Sequence, residues 1–163
     1  MNNSHKTAIT RNTLSRPMRY LSCINRIAGT TLDYGCGKGF DADTLCMDKY
    51  DLIHTDDMVL CRDDEIPPLQ KENIINHYDT ITCNYVLNVI DNEAEREQVL
   101  DTIHSMLSPE GYAFITVRRD IQQEGYTSKG TYQENIVLDL PVFKEVKNQY
   151  CIYIMDKGGE ITE

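Results

Sequence analysis

The stretch TLDYGCGKGF, residues 31–40, places an acidic residue two positions ahead of three alternating glycines: Asp33, then Gly35, Gly37 and Gly39. Turns this rich in glycine join a strand to a helix where the backbone must come close to a ligand. The spacing D-x-G-x-G-x-G does not supply the third glycine of the G-x-G-x-x-G dinucleotide fingerprint. Nor is it the G-x-x-x-x-G-K-[ST] phosphate loop, because Lys38 stands between glycines and Phe40 follows.

Elements on either side fix what this turn belongs to. Upstream, Ser15 and Pro17 can start a helix, and apolar residues at 18, 21, 24, 27 and 28 keep one face until Gly29 stops it. Residues 30–34 predict a short strand, and Asp41 and Asp43 open the helix that follows the turn, where the macrodipole favours acids. A second strand is expected at 52–55, ending at Asp56-Asp57, and 58–77 reads as irregular around Pro67-Pro68. Strand, helix, turn and strand follow at 78–84, 92–107, 108–111 and 112–120. A polar loop, 121–133, precedes two strands at 134–140 and 149–155 that read as a hairpin closing the sheet. Alternation of this kind predicts an α/β fold, a mostly parallel sheet covered by helices with an antiparallel C-terminal strand pair. Ligands of such sheets bind at the carboxyl ends of the strands.

Size and charge narrow the function. The 163 residues predict a loose basic arm at 1–14 and a single domain over 15–163. Residues 1–30 carry five basic residues and no acid, whereas the remainder holds 11 basic and 26 acidic residues. That balance argues against broad binding to nucleic acid and leaves a local basic patch that could touch a phosphate. No apolar run is long enough to span a membrane and the N-terminus lacks a signal-peptide core, so a cytoplasmic location is expected. Six cysteines without C-x-x-C spacing read as reduced thiols, Cys36, Cys83 and Cys151 being small fillers in or beside strands, and no metal site is expected.

The carboxylate of Asp33 is a poor neighbour for a pyrophosphate and a good one for a ligand carrying both an ammonium and a sulfonium. S-adenosylmethionine (SAM) has both. A second acid should hold the ribose hydroxyls from the end of the next strand. Asp56 lies 23 residues after Asp33 in the right place, with Asp57 a close competitor.

With these residues in view, the chain resembles the class I SAM-dependent methyltransferases. LDYGCGKGFDADTL is similar to their first motif, YDTITCNYVLNVI to their fourth-strand motif, and MLSPEGYAFITVRRD to their fifth strand and its lead-in. The resemblance covers about residues 15–155 and extends to small methyltransferases of phages and of DNA-modification gene clusters. It implies a Rossmann-like methyltransferase fold in which Asp33 and the backbone at Gly35, Cys36 and Gly37 hold the methionine end of SAM. Asp56 would hold the ribose, and Asn84 would line the pocket near the methyl group, with Tyr85 or Asn88 assisting.

The acceptor is less constrained. The fourth-strand motif continues as Asn84-Tyr85-Val86-Leu87, without the [DNS]-P-P-[YF] prolines that clamp a flipped base, and no Pro-Cys pair supports cytosine C5 chemistry. In VRRDIQQEGYTSKGTYQ, 117–133, Arg118, Arg119, Lys129 and Tyr132 are candidate substrate contacts. Asp120 and Tyr126 are candidates for a base, should the acceptor need one. The expectation is methyl transfer to an anionic acceptor, a nucleic acid or nucleotide. The alternatives are a non-catalytic SAM-binding subunit with a protein partner in a modification or defence complex, and an enzyme that cleaves SAM.

Overall fold

The computed structural model describes residues 9–50 and 78–158. The expected strand at 52–55, the acids Asp56 and Asp57, Cys61 and the irregular 58–77 segment lie outside them.

The chain opens with helix α1 (Arg16–Cys23), followed by strand β1 (Thr31–Tyr34), short helix α2 (Phe40–Thr44) and β2 (Asp48–Tyr50). Strand β3 (Tyr78–Asn84) leads through one 3₁₀ turn (Leu87–Val89) to α3 (Glu93–Met106). Then come β4 (Leu107–Arg118), the small pair β5 (Gly125–Tyr126) and β6 (Tyr132–Gln133), and finally β7 (Val142–Val146) and β8 (Tyr150–Asp156). The main sheet has the order β2-β1-β3-β4-β8-β7. Pairings among β2, β1, β3 and β4 are parallel, and β8 runs antiparallel to both β4 and β7. This is the mixed, mostly parallel sheet that the element order predicts, with its antiparallel C-terminal pair.

Strand alternation splits the core into two faces. Ile81, Cys83, Ile115, Val117 and Tyr153 point to the side packed by Val99, Ile103 and Met106 of α3. Phe114, Ile152 and Ile154 point the other way, onto Leu21 of α1. A third cluster, Met18, Ala42 and Met47, joins α1 to α2. α3 begins on a true cap: the Asn92 side chain accepts from Ala94 N at 2.8 Å and Glu95 N at 3.2 Å.

Strand β2 precedes the position expected for a second strand, the expected loop 121–133 carries β5 and β6, and three further boundaries differ from expectation. α1 stops at Cys23 rather than Ala28, because Asn25 takes a left-handed φ of 58°. Arg26 N then bonds Leu21 O at 2.9 Å and Asn25 N bonds Ser22 O at 3.1 Å. That pair is a Schellman ending with asparagine in the place usually held by glycine. The expected turn at Ser108–Gly111 lies inside β4, as an irregularity where the register steps from Tyr78–Leu107 to Thr80–Tyr112. Residues 134–140 are not a strand; the hairpin partner is β7, further on. Side chains hold that segment instead. Asn88 Nδ2 donates to Glu134 O at 2.7 Å, and the Arg119 guanidinium donates to Ile136 O.

Candidate functional site

The glycine turn sits at the carboxyl end of β1, and its three glycines all adopt positive φ: 78° at Gly35, 57° at Gly37 and 82° at Gly39. Left-handed backbone turns the chain sharply, so that Gly35 N and Cys36 N both donate to Tyr50 O, at 2.6 and 3.0 Å. Gly39 is constrained twice over. A Cβ there would lie 3.0 Å from Lys49 Cδ, in addition to the strain of its φ. Cys36 is half-buried in this turn, its Sγ 3.6 Å from Gly37 O.

Asp33 lies one residue before the end of β1 and is 4% exposed. Thr82, its register partner on β3, donates Oγ1–H to Asp33 Oδ1 at 2.9 Å. Among the described residues, no basic side chain forms an ion pair with it. Burial lifts the carboxyl to about 7, opposed by the Thr82 hydrogen bond and reinforced by the nearby charge of Asp41. Lys49, opposite Asp33 on β2, gives its charge elsewhere, pairing Nζ with Asp43 Oδ1 at 2.8 Å. A buried carboxylate with no cation paired to it among the described residues, beside a left-handed glycine turn, suits an ammonium group brought by a ligand.

Asp41 and Asp43 do more than open a helix. Asp41 accepts from Ser15 N at 2.9 Å and from Ser15 Oγ at 2.6 Å, tying the start of α1 to the turn. This explains why Ser15 makes no side-chain cap on its own helix. Within the expected loose arm, Thr10 Oγ1 accepts from Lys38 Nζ at 2.7 Å, so residues 9–15 lie against the glycine turn.

Asn84 ends β3, and its side-chain amide is buried with neither Nδ2 nor Oδ1 hydrogen-bonded. Tyr85 follows with φ 61°, a conformation that bulky side chains rarely hold, and its N donates to Thr116 O at 2.9 Å. Burial pushes the Tyr85 hydroxyl up to about 12, while the positive charges of Arg11 and Arg16 pull the other way. Tyr150 and Asp120 act in the same sense as burial. Asn88 is fully buried and acts on backbone alone, accepting from Arg118 N at 2.7 Å and donating to Glu134 O. Burial also pushes the Cys83 thiol far up, in keeping with a core thiol.

The arginine–tyrosine loop is arranged differently from expectation. Arg118 Nε donates to Asp120 Oδ1 at 2.8 Å, and this pair holds the Asp120 carboxyl below its usual range. A carboxylate so engaged is a weak base, and the candidate role of Asp120 in proton abstraction loses its physical ground. Arg119 turns inward, donating to Ile136 O and, at 2.5 Å, to the Tyr153 hydroxyl. The Tyr126 hydroxyl donates to Asp91, and that of Tyr132 to Glu134 at 2.7 Å. Lys129 is exposed at the tip of the β5–β6 hairpin. Sequence reasoning missed Thr82, Ser15 and Thr116. The first and last could have been noticed as polar residues inside runs otherwise fit for buried strands, TITCN and FITV.

Among the described residues, no group of His, Cys, Asp and Glu is placed to hold a metal ion. None of their helices is long and apolar enough to cross a membrane.

Comparison with known proteins agrees with this geometry. Residues 8–136 match the family model of a methyltransferase domain. No curated protein matches the chain. Among solved structures, the chain is similar to the 1,6-didemethyltoxoflavin-N1-methyltransferase of Burkholderia thailandensis, a complex with its didemethyltoxoflavin and S-adenosylhomocysteine. The two share 17% identity and a TM-score of 0.56 over 85% of this chain and 76% of that one. A SAM-dependent methyltransferase of Clostridium acetobutylicum gives a TM-score of 0.54 at 12% identity, covering 85% and 88%. The PH0226 protein of Pyrococcus horikoshii gives 0.58 at 12% identity, covering 91% and 93%. Likeness at these identities shows a shared fold. The family match spans most of the chain, and the chain belongs to the methyltransferase-domain family, with S-adenosylmethionine as its cofactor.

Proposed function

We propose that this SAM-dependent methyltransferase binds its cofactor across the carboxyl ends of β1 and β3 and methylates an anionic acceptor, a nucleotide or nucleic acid. The observation that carries the cofactor site is Asp33: a buried carboxyl that, among the described residues, has a hydroxyl partner and no cation, flanked by three left-handed glycines. Its charge would receive the methionine ammonium, while Gly35 and Gly37, lacking side chains, let the ligand approach the backbone of the turn. Asn84 and Tyr85 would border the methyl group from the end of β3. Asp56 remains the proposed ribose ligand on the strength of its spacing.

Bound SAM supplies a methyl group on a sulfonium that leaves readily. The protein has therefore to align the acceptor with that methyl group and exclude water. Thr82 fixes the rotamer of Asp33, and Ser15–Asp41 closes the N-terminal segment onto the turn. The anionic character of the acceptor rests on the positive charges of Arg11 and Arg16 around the Tyr85 hydroxyl. Of the loop residues, Arg118 and Lys129 keep exposed cationic heads that could meet substrate, whereas Arg119 and Tyr132 serve the protein's own structure.

Calorimetric titration with SAM, against NAD as control, tests the cofactor site: SAM should bind in the micromolar range and NAD should not. Transfer of labelled methyl from SAM into nucleotides, tRNA and DNA then tests the acceptor. SAM binding with label entering none of these would overturn the acceptor class and leave the cofactor site standing.

A further inference from the structure

Among the described residues, three buried polar atoms at the carboxyl end of the sheet have no hydrogen-bond partner: Asn84 Nδ2, Asn84 Oδ1 and Thr116 Oγ1. They are neighbours. Asn84 and Thr116 are register partners across β3 and β4, so their side chains leave the sheet on the same face. Buried polar groups in folded proteins almost always find partners, and an orphan calls for an explanation. Here three lie together beside the strained Tyr85. A structural role would have tied them to each other or to nearby backbone, as Thr82 and Asn88 are tied.

We propose that Thr116, acting beside Asn84, is a specificity residue that reads the hydrogen-bonding edge of the methyl acceptor, and that this edge is a heterocyclic imide or lactam, an N–H flanked by carbonyl oxygen. This rests on the reading of the carboxyl-end site as the methyl-transfer centre. The chemistry follows from what each side chain can offer. An asparagine amide presents one donor and one acceptor side by side, which matches a C=O and N–H pair in two parallel hydrogen bonds. A threonine hydroxyl beside it can donate to a second carbonyl on the far side of that N–H. The uracil ring has this acceptor–donor–acceptor edge. The positive charges of Arg11 and Arg16 are felt at the hydroxyl of Tyr85, the residue after Asn84, which favours an acceptor that also carries a phosphate, a nucleotide.

All three atoms are closed off from solvent in this structure, so the acceptor reaches them when the cover over this face shifts. α1 covers it: Leu21 packs with Phe114, two residues before Thr116 on the same strand face. The N-terminal segment is held down by polar contacts that can reopen, Thr10 to Lys38, Ser15 to Asp41 and Arg16 to Gln149.

The test uses the full chain saturated with S-adenosylhomocysteine, and titrates uridine 5′-monophosphate, its N3-methylated analogue and ribose 5-phosphate. Uridine monophosphate should bind best, and blocking the N–H should weaken it. Thr116→Val, which keeps shape and removes the hydroxyl, should weaken uridine monophosphate roughly 3- to 10-fold. The same variant should leave S-adenosylhomocysteine and ribose 5-phosphate unchanged. Because the hydroxyl is unpartnered, Thr116→Val should melt no lower than the parent. Equal binding of uridine monophosphate and ribose 5-phosphate, or no loss in Thr116→Val, would overturn the proposal. So would a clearly lower melting temperature for the variant, which would mean the hydroxyl already has a partner. Failure of S-adenosylhomocysteine to bind the parent would instead count against the cofactor site on which the proposal stands.

Discussion

Two regions of this protein are rich in polar side chains, and they differ in what those side chains do. In the loop that follows β4, Arg118 holds Asp120, Arg119 holds Ile136 O and Tyr153, Tyr126 holds Asp91, and Tyr132 holds Glu134. At the carboxyl ends of β1, β3 and β4, Asp33 has a hydroxyl donor in Thr82, and the side chains of Asn84 and Thr116 have no hydrogen-bond partner among the described residues. Composition alone would place function in the first region, since it has the arginines and tyrosines. Hydrogen-bond accounting favours the second, which is the region proposed above. A polar group already paired stabilises the fold, while a buried group left unpaired costs the fold stability and is open to a ligand.

The sharpest way to break this comparison is Asp33→Asn. The amide keeps an oxygen to accept from Thr82 and removes the charge. SAM affinity should fall by roughly 100-fold or more, the loss expected when a charged partner is removed from a buried site. The free protein should respond in the opposite direction. A carboxyl lifted to about 7 when folded, against an ordinary 3.8 when unfolded, makes stability decline as pH rises from about 4 towards 7. The amide variant has no such dependence, so at pH 8 it should be more stable than the parent in the absence of ligand, by on the order of 4 kcal/mol. The two should converge near pH 4. Chemical denaturation at the two pH values decides it, and a variant less stable at pH 8 would refute the burial argument.

Arg119→Ala examines the other region. It strips two hydrogen bonds from the carbonyl of Ile136 and the hydroxyl of Tyr153. A loss of about 2 kcal/mol of stability is expected, with SAM affinity unchanged. A fully stable variant with impaired transfer would return Arg119 to the substrate. Gly39→Ala follows in size. A left-handed φ of 82° and a Cβ 3.0 Å from Lys49 Cδ should together cost about 1–2 kcal/mol. Its melting temperature is the readout, and SAM affinity should drop with it because the turn itself is displaced.

A milder perturbation of the same site needs no substitution. If SAM requires Asp33 ionised, the fraction of competent protein falls as pH passes below about 7. Affinity at pH 6 should therefore be about tenfold weaker than at pH 8, with proton release on binding at the lower pH. Calorimetry in buffers of different ionisation enthalpy measures both. A flat profile would mean that a neutral Asp33 serves equally well, as a hydrogen-bond acceptor only.

Much of this is legible in the sequence, and the reasons differ by residue. The order of strands and helices, the glycine turn and Asp33 are local patterns, and local patterns survive folding. Asn25 escapes a reading of the sequence because a Schellman ending is expected at glycine, and Gly29 lies only four residues on. The segment 134–140 has a strand's composition, yet Asn88 and Arg119 from distant parts of the chain take up its backbone groups. No reading of ENIVLDL alone could show that. The engagement of Arg118 and Arg119 is likewise a property of tertiary neighbours, whereas Thr82 and Thr116 declare themselves by being polar in otherwise apolar strands.

The smallest effect is the most pointed probe of the paired region. Tyr126 is 66% exposed, its ring meets Tyr132 edge-on at 5.2 Å, and its hydroxyl donates to Asp91. Tyr126→Phe keeps the ring contact and removes the hydrogen bond. In exposed surroundings such a bond competes with water, so the change should cost no more than about 0.5 kcal/mol. If Tyr126 were the base for methyl transfer, turnover would collapse while stability stayed the same. If it is a peg fastening the β5–β6 hairpin to the segment before α3, turnover should stay within about twofold and hydrogen exchange in the hairpin should quicken. The second outcome is expected, because a phenol spent on a carboxylate has its proton committed, as the Tyr132 phenol has on Glu134 in the same region.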